Sequence, residues 1–390
     1  MIRKTISKGF LACLICAISL TAGADEFLVG VEAPLTGAMA RAGNAQLAGI
    51  KVAAQIFQEQ NPQHTIKFEV INNESQPAKA VAAVEKLASL GVKGVIGDYG
   101  TNIAVPAAEA AEKAGLVTVT TGTTSMAVMN RGMKHFFRID PVTGHVKAMQ
   151  GLLLNGMHVK SVSLLYSNKE ATSALADLLK KGLEDAGVKV IPHAYDPSSA
   201  DFKPLINKVR LRDHADVLVI AGYENDYVGI LRAAHVLKPS VKAVVGAWSL
   251  ATAKLADQFP DLVNNAIGTA TLSFPAHFKT EAGQRFAKTF RAKNGEDPDY
   301  LNEYGYVQAM LLFKAMAQAA EKGEVNTDTI SAALRAHPYD TLLGEVHFDS
   351  RGENTEFENR MGQIRDGKVV TVWPPSEATG ELKYPAVPWK

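Results

Sequence analysis

The sequence predicts an α/β protein built on mostly parallel sheets flanked by helices, and three observations carry that prediction. Short apolar, β-rich runs alternate with segments whose apolar residues recur at helical spacing. Two of these runs, 94–96 and 116–120, end at once in glycine and hydroxyl residues, which is how a parallel strand hands over to the next segment. The alternation is played through twice, with a boundary near Asp140-Pro-Val-Thr-Gly144. Two layers of parallel sheet follow from that repetition.

Taken in order, residues 26–32 read as the first strand and 33–37 as its loop. A helix spans about 44–60, with Leu47, Ile50, Ala54 and Phe57 on one face. A second strand covers 65–71. Pro77 opens the next helix where its missing N–H costs nothing, and Val81, Val84, Leu87 and Ala88 form the apolar stripe. Gly91 stops it. Two strands then end side by side, one before Gly97 and the other before Thr121-Gly-Thr-Thr124, joined by a helix near 106–114.

Beyond the boundary the pattern predicts helices at 146–154, 172–186, 202–211 and 227–236, and strands at 161–166, 189–192, 216–220 and 241–246. After Gly268 the text changes: a strand-like run at 269–274, then helices at 280–293, 300–322 and 327–336. The middle one is apolar nearly all round and is expected to be buried. Residues 344–348 and 361–372 read as antiparallel strands around Asp366-Gly367. The proline-containing tail, from Pro374 to Pro388, is expected to run extended over the surface.

Residues 1–24 read as a cleaved signal peptide: Arg3, Lys4 and Lys8, an apolar stretch from Phe10 to Leu20, then Ala22-Gly-Ala24. That stretch is too short to span a bilayer, so an extracytoplasmic protein is expected. Both cysteines, Cys13 and Cys16, lie in this leader, so the mature chain is expected to have no disulfide and no thiol chemistry. The leader also carries three of the 41 basic residues and none of the 40 acidic ones, leaving 38 against 40. This near-neutral balance points away from nucleic acid and anionic membrane surfaces.

Catalytic motifs are missing from the text. There is no Gly-x-Ser-x-Gly, His-Glu-x-x-His, Gly-Lys-Ser/Thr or Gly-x-Gly-x-x-Gly, and the ten histidines are scattered singly without metal-ligand spacing. A binding protein without cofactor or metal is the reading that remains, with a secreted hydrolase as the poorly supported alternative. In open α/β sheets ligands sit beyond the carboxyl ends of the strands. Thr101 and Thr124 fall at two such ends, each with a hydroxyl suited to a small carboxylate. Helix capping accounts for both equally well at this point.

Pro34-x-Thr-Gly37, Gly97-x-x-x-Thr101, Thr120-Thr-Gly-Thr-Thr124, Phe136-Phe-Arg138 with Asp140, and Tyr304-x-Tyr306 follow one another in an order that resembles the periplasmic leucine/isoleucine/valine-binding proteins, substrate-binding components of ABC importers. The resemblance covers essentially the whole mature chain. It implies a two-lobed fold with three hinge crossovers: residues 25–142 with 273–349 as one lobe, and 143–272 with 350–390 as the other lobe and tail. In that family a hydroxyl at the position of Thr101 holds the ligand carboxylate. A backbone carbonyl at that of Gly122 and a hydroxyl at that of Thr124 hold its amine. Where the family places an acid for the ammonium, this chain has Trp248, and Ala42 and Ala171 stand where aromatics are frequent. Tyr223 keeps an aromatic at the end of the 216–220 strand, and Glu224 and Asp226 stand nearby, either of them a candidate replacement acid, with Glu224 the first choice.

The resemblance therefore implies a monomeric periplasmic receptor that closes over a small carboxylate and delivers it to a membrane permease. Thr101, Gly122 and Thr124 would act from one lobe, and Tyr223, Glu224 and Trp248 from the other. A branched-chain or other hydrophobic amino acid is the first expectation for the ligand. An aromatic or other amine-free carboxylate is the second.

Overall fold

The computed structural model describes residues 25–97, 99–248, 250–270 and 278–389. The leader and most of the run at 269–274 lie outside them. The first sheet is all parallel, in the order β2-β1-β3-β4-β5. Its strands are β1 (Asp25–Ala33), β2 (His64–Asn72), β3 (Gly94–Ile96), β4 (Val117–Thr120) and β5 (Phe136–Arg138). Crossover helices α1 (Ala40–Gln60), α2 (Pro77–Ser89) and α3 (Thr101–Lys113) connect the first four. Val29, Val31, Val117 and Val119 pack on one face of this sheet, while Val95 and Leu28 pack on the other with Val84, Leu87 and Ile103 of α2 and α3, so helix cover is needed on both sides.

The second layer runs α4 (Val142–Gly151), β6 (Ser161–Ser167), α5 (Glu170–Asp185), β7 (Lys189–Tyr195), α6 (Lys203–Lys208), β8 (Val217–Ala221), α7 (Glu224–Leu237), β9 (Ala243–Gly246), α8 (Ala253–Gln258), α9 (Pro260–Val263) and β10 (Ile267–Thr269). The chain then returns to the first layer with α10 (Glu281–Asn294), α11 (Tyr300–Glu321) and α12 (Thr327–Ala336), whose apolar residues join the core under β1, β3 and β4. The strands β11 (Tyr339–Thr341) and β12 (Gly344–Val346) pair with each other. Finally β13 (Met361–Arg365) and β14 (Lys368–Trp373) add antiparallel strands to the second sheet, whose order is β14-β13-β10-β9-β8-β6-β7.

Two sequence expectations need correction. Residues 344–346 pair with 339–341 rather than with 361–372, because Leu342-Leu343-Gly344 closes a local turn before any long-range partner is needed. The tail is also tied down more firmly than its prolines suggest. Gln363 exchanges hydrogen bonds with the backbone of Lys383 in both directions at 2.9 Å, and Trp389 is buried against the ring of His235.

Two chain passages between the layers run side by side. Arg138 N–H donates to Gly352 O at 2.8 Å, and Asn354 N–H returns to Arg138 O at 3.0 Å. The Arg138 side chain is 0 % exposed. Its Nε and Nη2 meet the two Glu353 carboxylate oxygens at 2.8 and 2.5 Å, while Nη1 donates to the carbonyls of Thr123 and Ser125. A buried bidentate pair with every remaining donor engaged tolerates burial where an isolated charge would not. The crossover is a bonded ribbon, not two separate links.

Helices α1 and α11 cross at glycines. A Cβ on Gly49 would stand 1.9 Å from Asn302 O, and one on Gly305 would stand 2.1 Å from Gln46 O. Only glycine permits this approach, and it brings Gln46 and Gln308 under the same strand ends.

Candidate functional site

The first wall is made where β3 and β4 end together, in the register Ile96↔Val119. Gly100, at φ +103°, takes a backbone conformation open to glycine and turns its N–H onto Gly122 O at 3.1 Å. The two loops are thereby stitched to each other. Beneath them the Thr121 hydroxyl is held between Gln46 Nε2 at 3.1 Å and the Gln308 amide oxygen at 2.7 Å, while the Gln308 nitrogen donates to the carbonyls of Gly97 and Val119. This relay from α1 and α11 fixes both strand ends.

Thr101 is the first residue of α3, and Gly100 occupies the cap position without a side chain. The capping role considered for Thr101 therefore does not apply. Thr101 is 4 % exposed, and its hydroxyl finds no hydrogen-bond partner among the described residues. It stands at the head of a helix whose first N–H groups have no intrahelical acceptor. Thr124 caps no α-helix either; it precedes a short 3₁₀ turn at Met126–Arg131, and its carbonyl accepts from Val142 N–H at 3.3 Å.

The second wall comes from the ends of β8 and β9. Tyr223 and Trp248 stack at 6.1 Å with 15° between the rings. Trp248 is 6 % exposed, and its indole Nε1 donates to His145 Nε2 at 3.3 Å. Burial lowers the His145 pKa to about 3, so the ring is a neutral acceptor. The Asn359 amide holds its other nitrogen at 2.9 Å. Lys169 lies over the Tyr223 ring at 4.9 Å, and burial pushes that phenol up to about 12.

Thr101, Gly122 and Thr124 face Ala171, Tyr223 and Trp248 across a narrow cleft. Tyr99, Gly100, Thr121 and Asp140 complete the lining. Glu224 is not part of it. At the first position of α7 it turns to Arg41, its Oε2 3.4 Å from Nε, and Arg41 also holds Asp299 at 3.2 Å. A basic partner from the other lobe has claimed the acid that the sequence suggested for an ammonium. Ala42 lies buried in α1, outside the lining.

Asp140 was legible only as a landmark after Phe136-Phe-Arg138. In the structure it is a cleft residue, 2 % exposed, with Oδ2 3.9 Å from His145 Nε2 and Oδ1 without a hydrogen bond among the described residues. Burial raises its pKa well above the usual carboxylate range, against the opposing pull of Arg138. An Asp-Pro pair at the mouth of a crossover is the only signal that pointed there.

A cleft at the carboxyl ends of two parallel sheets, walled by both lobes and spanned by bonded crossovers, defines a two-lobed solute-binding protein. Residues 27–368 match the periplasmic binding protein family. The chain belongs to that family, whose members are substrate-binding proteins of ABC transporters and not enzymes. It is 24 % identical over 362 residues to the leucine-, isoleucine-, valine-, threonine- and alanine-binding protein of Pseudomonas aeruginosa, covering 91 % of this chain and 94 % of that one. Among solved structures it is similar to the branched-chain amino acid binding protein LivJ of Streptococcus pneumoniae in complex with isoleucine. There the TM-score is 0.76 at 20 % identity, over 90 % of this chain and 100 % of that one. A solute-binding protein of R. palustris in complex with benzoate gives a TM-score of 0.75 at 19 % identity, over 89 % of this chain and 95 % of that one.

Proposed function

We propose that this chain captures a small hydrophobic amino acid in the periplasm and hands it to the permease of an ABC importer. The observation that carries the reading is the Thr101 hydroxyl, buried at the head of α3 without a hydrogen bond among the described residues, and lining the cleft. A carboxylate placed there takes the hydroxyl and the N–H groups of Thr101 and Asn102, which by position have no i−4 acceptor in the helix. Thr124 and the second lone pair of Gly122 O remain for the amine, and Tyr223 with Trp248 cover the side chain. Only the closed form offers both walls at once, so the ligand stabilises closure. The isoleucine-bound and benzoate-bound relatives support a ligand of this size.

The stacked Tyr223 and Trp248 favour a second reading, an aromatic carboxylate. A thermal-shift screen over the amino acids and a set of aromatic acids tests both. A ligand at a hundred times its dissociation constant adds about 2.7 kcal/mol of apparent stability. No shift with either set overturns the carboxylate assignment. We further propose that the chain works as a monomer after residues 1–24 are removed. N-terminal sequencing and sedimentation of periplasmic protein test this, and an uncleaved leader or a dimer contradicts it.

A further inference from the structure

We infer that Asp140 recognises the ligand's ammonium, which makes the cleft a site for α-amino acids and not for amine-free acids. This rests on the reading that the ligand carboxylate sits at Thr101. The acid expected at the end of β9 is replaced by Trp248, and Glu224 is engaged by Arg41 outside the lining. Asp140 is the one carboxylate lining the cleft among the described residues.

Its Oδ1 has no hydrogen bond among the described residues, although its own backbone N–H and the charge of Arg138 favour its ionised form. Arg138, two residues before it, is matched to both oxygens of Glu353 and to two carbonyls. His145 from α4 is neutral and 3.9 Å away, Tyr304 from α11 faces it with a phenol, and Glu353 adds only negative charge. A carboxyl oxygen buried without a donor is destabilising, and a bound ammonium supplies the missing donor with a full charge. Its remaining hydrogens have acceptors in Gly122 O and the Thr124 hydroxyl. Burial pushes the Asp140 carboxyl well above the usual carboxylate range, which disfavours its charge until a cation is placed beside it. An ammonium beside it favours the ionised carboxylate; any proton the carboxyl gives up passes to solvent while the ammonium keeps all three of its own.

The test is titration calorimetry of the full mature chain in two buffers of different ionisation enthalpy, after a screen of the twenty amino acids. The expected pair is leucine against 4-methylpentanoate, its amine-free counterpart. Wild-type protein should bind leucine about a hundredfold more tightly than 4-methylpentanoate, and any proton release, up to one, should accompany leucine alone. Asp140→Asn should weaken leucine about a hundredfold and leave 4-methylpentanoate within about threefold. The inference is overturned if Asp140→Asn binds the preferred amino acid like wild type. It is equally overturned if wild type binds 4-methylpentanoate as tightly as leucine, a readout that needs no variant to fold. Tighter wild-type binding of 4-methylpentanoate or benzoate than of any amino acid sinks the inference and leaves the carboxylate reading standing. Binding of none of these ligands sinks both.

Discussion

Arg41 Nε and Glu224 Oε2 meet at 3.4 Å from opposite lobes, while Asp299 holds the same guanidinium at 3.2 Å from its own lobe. Separating the lobes breaks the first contact and spares the second, so the Glu224 pair is an interaction of the closed form alone. Both side chains are about a quarter exposed, and such a pair is worth at most about 1 kcal/mol. Glu224→Gln should therefore weaken any ligand by about two- to fivefold through faster release, more at low salt than at high. Stopped-flow dissociation of an amino acid and of its amine-free analogue checks this. A large loss confined to the amino acid would return Glu224 to the ligand.

Thr101→Ala removes a hydroxyl that meets no protein partner among the described residues. Affinity should fall about tenfold or more, the worth of one hydrogen bond to a charged group. The melting temperature of the empty protein should not fall. A lower melting temperature with unchanged affinity would make Thr101 a structural residue.

Trp248 combines the stack on Tyr223 with the hydrogen bond its indole N–H donates to His145. Trp248→Ala should weaken binding about tenfold or more through lost contact area, whereas Trp248→Phe should hold within about threefold. The chain has three tryptophans, and Trp373 and Trp389 lie away from the cleft. The fluorescence change on adding ligand should therefore vanish in Trp248→Phe. Its persistence would show that Trp248 does not sense the ligand.

Gly49→Ala places a carbon 1.9 Å from Asn302 O in the α1–α11 crossing. The helices must part, at a cost of about 1–3 kcal/mol, and thermal unfolding should show it. Because Gln46 and Gln308 ride on these two helices, the same change should also loosen the strand ends and lower affinity. A stable variant with full affinity would mean the crossing yields without moving the relay.

His145 is held neutral by burial, with its pKa lowered from 6.5 to about 3. Above about pH 6.5 both folded and unfolded chains carry it uncharged. As pH falls from there toward 3 the unfolded chain takes a proton that the folded one refuses, so stability is lost through that window. His145→Gln should make the pH dependence shallower by up to one proton between those limits, measured by denaturant unfolding at a series of pH values. Parallel curves for the two proteins would exclude His145 as a source of the acid sensitivity.

Much of the fold was legible because strand and helix periods differ and parallel strands are apolar on both faces. Thr101, Gly122, Thr124, Tyr223 and Trp248 could be named from strand ends and family resemblance, and they line one cleft. Glu224 and Asp140 could not be sorted in advance. Which carboxylate is free depends on which basic group reaches it, and Arg41 lies 183 positions before Glu224. The β11–β12 pairing was missed for a related reason: apolar strand patterns do not name their partners, and a two-residue turn outcompetes a distant strand.

The Arg138–Glu353 ribbon also sets an order of events. The ribosome makes residue 353 long after residue 138, so an arginine destined for complete burial waits through most of synthesis for its counter-charge. The sheet strand that carries it cannot be sealed in the meantime, since an unmatched buried charge is far too costly. The same delay applies to β1, β3 and β4, whose inner cover comes from α11. The layer that is translated first must therefore wait for residues made after the parallel strands of the second layer. A nascent chain stalled before residue 352 should remain sensitive to protease across residues 25–138, and one extended past 360 should not.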